Sequence, residues 1–219
     1  MVESVFAQFL IPDLYLLILA SISLFVLLAA FWLTQTKKGK GTFGEKVSSS
    51  FSKKLDPSEY KIVNDVIVKN DNHYSQIDHV VVSKYGIFVV ETKVNKNAVY
   101  GNIRGKTWKQ YVGSNKYEIK NPTRQNYGHI KSLETFLKDF DNLKMISIIA
   151  YSGFTKIKIY GEAKDVFVKN ISQVPDLIKS YKTIAMSEEQ KDEIFKRLCD
   201  FKKENKNLKK EHISYVKAR

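Results

Sequence analysis

Residues 14–33, LYLLILASISLFVLLAAFWL, run for twenty positions without a charged side chain. At ~1.5 Å of rise per residue, such a helix reaches across the ~30 Å hydrocarbon core of a bilayer. The chain is therefore expected to open with a single transmembrane helix and to place its folded domain after it. A cleaved signal peptide fits less well, because the residues before the run lack Lys and Arg and the run is long for such a peptide. Trp32 stands near one end, where interfacial aromatics collect. Lys37, Lys38 and Lys40 follow at once, whereas Glu3 and Asp13 are the charges on the other flank. This asymmetry predicts residues 1–13 outside the cell membrane and the rest of the chain in the cytoplasm.

Residues 34–43 read as a basic linker, and from Lys37 onward the chain carries 36 Lys and Arg against 21 Asp and Glu, a net of +15. A surplus of that size predicts a polyanionic partner, either nucleic acid or an anionic lipid surface. The single cysteine, Cys199, excludes an intrachain disulfide and fits a reducing compartment. Two glycine motifs are excluded as nucleotide loops. Gly39, Gly41 and Gly44 have the spacing of a dinucleotide fingerprint but follow a membrane helix rather than a strand. In GNIRGKT, 101–107, Tyr100 stands where a phosphate-binding loop needs its first glycine.

Periodicity and caps predict the element order. A short helix is expected over Gly44–Leu55, a strand over 60–68 and a hairpin over 76–94. Short β pieces follow over 98–119, around Gly101, Gly105 and Gly113. Asn121 and Pro122 read as N-cap and first helical residue of a helix to about Lys138, with Tyr127, Ile130, Leu133 and Leu137 as its apolar stripe. Strands are expected over 145–152 and 165–170, and a short helix over 174–181. Ser187 and Gln190 form a capping box for a last helix with Ile194, Phe195, Leu198 and Phe201 on its apolar face. Past Lys202 the composition turns to Lys, Asn and Glu.

The hairpin QIDHVVVSKYGIFVVETKV, 76–94, carries Asp78, Glu91 and Lys93 among Val, Ile and Phe. If Ser83 pairs with Gly86 around Lys84-Tyr85, Asp78 falls opposite Glu91 on a shared face, with Cβ atoms ~4.5–5.5 Å apart. A one-residue bulge would put Thr92 there instead. Two carboxylates so close repel, which calls for a proton on one or a cation between them. Lys93 on the face of Glu91 favours the cation, and hard oxygen ligands suit Mg2+ or Mn2+. The alternative is a Lys93 ion pair on a solvated sheet face. The apolar runs on both sides of these residues predict burial on both faces instead.

Asp78, then Glu91 and Lys93 across a hairpin, resembles the PD-(D/E)XK nuclease superfamily. The ordered set of GE at 44–45, IDHVVVSKYGIFVVETK at 77–93, GNI at 101–103, WKQ at 108–110 and NPTRQNYGH at 121–129 resembles the nuclease-related domain (NERD) family. The resemblance spans about residues 41–150. It implies an α/β fold of the restriction-endonuclease-like class, with a mixed sheet flanked by helices, after the transmembrane helix. It also implies a nuclease-like core at 44–150, followed by a strand and helix extension with a Lys-rich tail at 151–219. Asp78 and Glu91 would be metal ligands, joined by the backbone carbonyl of Thr92, and Lys93 the catalytic lysine. Glu45 would be an additional acid for metal or water. Gln125 would complete the catalytic set and, with His129 and Arg124, contact nucleic acid. Gln125 and His129, four residues apart, share one helix face, from which they could also hold Lys93. Trp108 reads as packing and His79 as structural. The expected function is metal-dependent hydrolysis of phosphodiester bonds in cytoplasmic nucleic acid, with DNA the expected substrate. The alternatives are a non-catalytic nucleic-acid tether and an anionic-lipid or protein-interaction module.

Overall fold

The computed structural model describes residues 47–204 apart from 48, 50, 52, 71–72, 95–96 and 154. The expected span at 14–33, the linker, Glu45 and the tail beyond residue 204 lie outside the described residues. Among the described residues, no helix is long and apolar enough to cross a membrane.

Two sheets organise the domain. The first begins as an antiparallel meander of β1 (Lys61–Asn70), β2 (His73–Ser83) and β3 (Gly86–Lys93). Parallel strands β7 (Met145–Tyr151) and β9 (Val166–Asn170) extend it to the order β1-β2-β3-β7-β9. The two-residue turn at Lys84-Tyr85 makes β2 and β3 antiparallel neighbours, and Ser83 pairs with Gly86 as the even loop predicted. Gly86 is required there: at φ 138° a Cβ would lie 2.8 Å from Ile146 Cδ1 and 3.0 Å from the Lys144 carbonyl. Parallel pairing of β3 with β7 needs a long crossover, and residues 94–144 supply it.

One face of this sheet presents Val80, Val82, Ile87 and Val89 to Leu133, Leu137, Ile194 and Leu198 of two helices. The other face is also covered. Phe88 meets the Tyr181 ring edge-on at 5.2 Å, and His79 meets Phe51 at 5.5 Å. Burial on both faces explains why β2 and β3 read as continuous apolar runs rather than alternating ones. Alternation also breaks locally. Asp65 takes φ 53°, and no pair forms between Asn64–His79 and Val66–Ile77, where Asp65 would face Asp78. On either side of the break, Val63 and Val66, like Ile77 and Val80, enter the same core.

The second sheet has the order β6-β5-β4-β8, from β4 (Ala98–Asn102), β5 (Thr107–Val112), β6 (Asn115–Lys120) and β8 (Lys156–Tyr160). Val99 and Trp108 form its core with Ile149 and Tyr151 of the first sheet. A Cβ on Gly101 would sit 2.2 Å from the Trp108 ring, so the indole fits only beneath a glycine. The Trp108 Nε1–H donates to the Asn102 carbonyl at 2.8 Å, in the packing role expected of it. Strands β4 to β6 match the short β pieces expected over 98–119, whereas β8 and the gathering of the four into a separate sheet are not legible in the sequence. KIKIY offers only two inward-facing apolar residues, Ile157 and Ile159, which is too short a signal for a sequence window.

Helix α1 (Pro122–Phe136) has the expected cap: the Asn121 side chain accepts from the Thr123 N–H at 2.9 Å, with Pro122 in the first turn. Its apolar stripe differs from expectation. Tyr127 is 60% exposed and lies under Lys131, whose Nζ is 5.5 Å from the ring centre. The face turned to the sheet runs through Thr123, Asn126, Ile130, Leu133 and Leu137, at spacings of three and four. Two of these positions are polar: the Thr123 hydroxyl donates to the Ile103 carbonyl at 3.0 Å, and Asn126 bonds the sheet as described below. Helix α2 (Val174–Ser180) is short. Helix α3 (Glu188–Glu204) starts at Ser187, whose hydroxyl accepts from the Gln190 N–H at 3.2 Å, and packs Ile194 and Leu198 on the core. Its buried Lys191 ammonium is satisfied by the Ser58 carbonyl and by Glu188. Residues after 150 thus supply a strand to each sheet and a helix to the main core.

Candidate active site

The C-terminal end of β3 leaves the apolar core with Glu91, Thr92 and Lys93. Glu91 is 4% exposed, and a carboxylate so buried needs partners for both oxygens. Helix α1 brings them. It is pinned to the sheet by Asn126, whose amide donates to the Val89 carbonyl at 2.9 Å and the Ser147 Oγ at 2.8 Å. One residue earlier, Gln125 donates from Nε2 to Glu91 Oε1 at 2.9 Å and accepts from Lys93 Nζ at 2.9 Å. Lys93 Nζ closes the ring on Glu91 Oε1 at 2.7 Å. One turn on, His129 Nε2 lies 3.3 Å from Glu91 Oε2. Its Nδ1 is 2.7 Å from the Ser75 hydroxyl on β2.

His129 Nε2 is also 3.3 Å from Gln125 Nε2, and one ring nitrogen cannot donate to the carboxylate and accept from the amide at once. The charge-assisted bond to Glu91 is the stronger, so Nε2 carries the proton. Burial pushes the Glu91 carboxyl up, but the His129 hydrogen bond and the Lys93 charge outweigh it. Together they hold Glu91 below its ordinary value. The site therefore keeps an ionised carboxylate inside the protein at neutral pH.

Asp78 stands apart from this ring. Cross-strand pairs of the hairpin end at His79–Val90. Beyond them the Asp78 Oδ2 accepts from the Thr92 N–H at 2.9 Å and the Thr92 hydroxyl at 2.6 Å. The register is the even one predicted, yet the break opposite Asp65 turns the Asp78 carboxylate to the edge of β3. It takes the place of a ladder carbonyl. Thr92, whose backbone carbonyl is the ligand expected from the resemblance, meets Asp78 through its N–H and hydroxyl. His79 turns away, as predicted: its Nδ1 lies 2.7 Å from Asn64 Oδ1, and burial lowers its pKa and keeps it neutral. Arg124 is exposed in the first turn of α1, beside Gln125.

The donor set fits a hard divalent cation in kind, since Asp78 and Glu91 are carboxylates on adjoining strands and no hydrogen bond from a described residue reaches Asp78 Oδ1. Among the described residues, no group of three or more His, Cys, Asp or Glu side chains gathers as a metal cluster. A cation there would share the Glu91 oxygens with Lys93, Gln125 and His129. Two residues of the site do not stand out in the sequence: Ser75, which lies just before the hairpin expected over 76–94, and Asn126. The signal for Asn126 was its place in the three-and-four spacing of the helix.

Comparison with known proteins bears on this site. The family model for the nuclease-related domain, NERD, matches residues 40–152. An uncharacterized protein of Bacillus anthracis is 30% identical over 183 residues, covering 82% of this chain and 84% of that protein. No solved structure matches.

Proposed function

The chain belongs to the nuclease-related domain family, and from that premise we propose that it is a metal-dependent hydrolase of phosphodiester bonds in DNA. One observation carries the reading: Glu91, Lys93, Gln125 and His129, drawn from a strand and a helix, meet in one hydrogen-bonded group, and Asp78 is bonded to Thr92, the residue between Glu91 and Lys93. Asp78 and Glu91 would hold Mg2+ or Mn2+, which supplies Lewis-acid stabilisation of charge on the phosphoryl group. The other roles belong to the protein. Lys93, with a 31% exposed side chain, brings its ammonium to the mouth of the site, where negative charge develops in the transition state. Gln125 holds that ammonium in place through its carbonyl. His129, backed by Ser75, fixes the second Glu91 oxygen. Arg124 meets the phosphate backbone from the exposed first turn of α1.

In the same reading, residues 14–33 anchor the domain to the cell membrane and hold it on the cytoplasmic side. Protease added outside intact cells should then spare a C-terminal tag, and its ready digestion would reverse the topology. A non-catalytic tether is the second reading, favoured by a Glu91 whose two oxygens are already satisfied without an ion. The deciding assay incubates the full-length chain in detergent with plasmid, single-stranded DNA and RNA, with Mg2+, Mn2+ or EDTA. Cleavage that needs metal and is lost in Asp78→Asn is expected. Asn keeps an oxygen for Thr92 and removes only the charge, so its fold should survive. Intact substrates under every condition would leave the tether.

A further inference from the structure

The second sheet has a face that the active site does not use. Val99, Trp108, Ile119, Ile157 and Ile159 point inward. By alternation and register, the other face carries Tyr100 on β4, Tyr111 on β5 and Tyr160 on β8. The same face carries Lys109, Lys116, Lys120, Lys156 and Lys158, all exposed, against one acid, Glu118. Tyr160 is 65% exposed. Tyr100 meets Tyr111 edge-on at 5.2 Å, and Lys158 Nζ lies 5.5 Å from the Tyr100 ring centre. A cleft of about 250 Å3 lies over Gly101, lined by Tyr100, Tyr160, Thr107 and Lys109 as well as Trp108.

We propose that this face binds a single strand of DNA, with bases stacked on Tyr160 and Tyr100 and phosphates following the lysine rows. The argument is one of complementary chemistry. A flat sheet with aromatic rings among ammonium groups offers each nucleotide a π-face and a counter-charge, whatever its base. A duplex hides its base faces and could use only the lysines. An anionic membrane would also use the lysines, but the face has no cluster of large aliphatic side chains to enter the acyl region. The face is continuous in sequence with the active site. Lys120 ends β6, and Pro122 begins the helix that carries Gln125 and His129. The choice of DNA rests on the nuclease reading above.

The test is fluorescence anisotropy of the full-length chain in neutral detergent, with EDTA to prevent cleavage. The probes are a twenty-nucleotide single strand, its duplex and the matching RNA; a separate arm, with the detergent removed, uses vesicles with and without phosphatidylserine. The single strand should bind more tightly than the duplex and lose affinity as salt rises. The double variant Tyr100→Ala/Tyr160→Ala should weaken single-strand binding by about tenfold or more, consistent with ~1–3 kcal/mol of stacking per base, and leave duplex binding unchanged. Phe at both positions should restore it, which separates ring stacking from a fold defect. Unchanged single-strand affinity in the Ala variant, tighter binding of RNA, or loss of vesicle rather than DNA binding would each overturn the proposal. Metal-dependent cleavage, scored separately, distinguishes the two readings. A chain that cuts nothing but loses single strands on Tyr substitution keeps the face and loses the nuclease. The converse result removes the face alone.

Discussion

The two sheets of this domain use charge in opposite ways. In the five-stranded sheet both faces are covered, so an ionised side chain survives only where partners surround it, as Lys93, Gln125 and His129 surround Glu91. In the four-stranded sheet one face is covered by Trp108 and its neighbours, while the other sets Lys and Tyr in solvent. A buried charge needs a fixed geometry because water cannot compensate it. An exposed charge costs little and gains little alone, so its value lies in what it can bind. Fixed geometry is what chemistry on a substrate needs, and an open charged face is what substrate capture needs.

The sharpest way to break this comparison is Lys93→Ala. Removing one positioned ammonium should lower metal-dependent cleavage on the order of 10^3-fold, while single-strand binding to the other sheet holds. Normal cutting by this variant would make Lys93 a structural residue. Next in size is stability. Leu133→Ala, on the covered face of the large sheet, should cost ~2–5 kcal/mol in a urea melt. Gly101→Ala, on the covered face of the small sheet, should cost ~1–3 kcal/mol by overpacking against Trp108. Lys156→Gln, on the open face, should stay within ~0.5 kcal/mol. If Gly101→Ala were as silent as Lys156→Gln, the small sheet would not be packed on one side as described.

The smallest effect is the acid limb of stability. The folded Glu91 carboxyl is held below its ordinary value, so its contribution is fully present above that ordinary value. It is lost as pH falls through the depressed folded value. Glu91→Gln should lower stability at neutral pH, by leaving Lys93 and His129 without their anion, and flatten the fall below the ordinary carboxylate range. An unchanged acid limb would show that the carboxylate is not the group the ring is built around.

The sequence by itself determined what depends on neighbours along the chain. The even loop at Lys84-Tyr85 set the hairpin register, since a period of two leaves one way to bury Val80, Val82, Ile87 and Val89 together. Asn121-Pro122 set the start of α1, and Ser187 with Gln190 the start of α3, because caps are local hydrogen bonds. Glu91 and Lys93 stood out because a carboxylate and an ammonium inside an apolar run demand an explanation, whereas Gln125 entered only through the family resemblance. The tertiary structure alone decided their partners. Ser75 meets His129 across 54 residues of sequence, and Asn126 meets Ser147 across 21. The kink opposite Asp65 turned Asp78 to Thr92, and β8 joined β4 across the whole of β7 to make a second sheet. No local window contains both members of such pairs. A buried polar group is satisfied by whatever the packing of distant elements brings within about 3 Å of it.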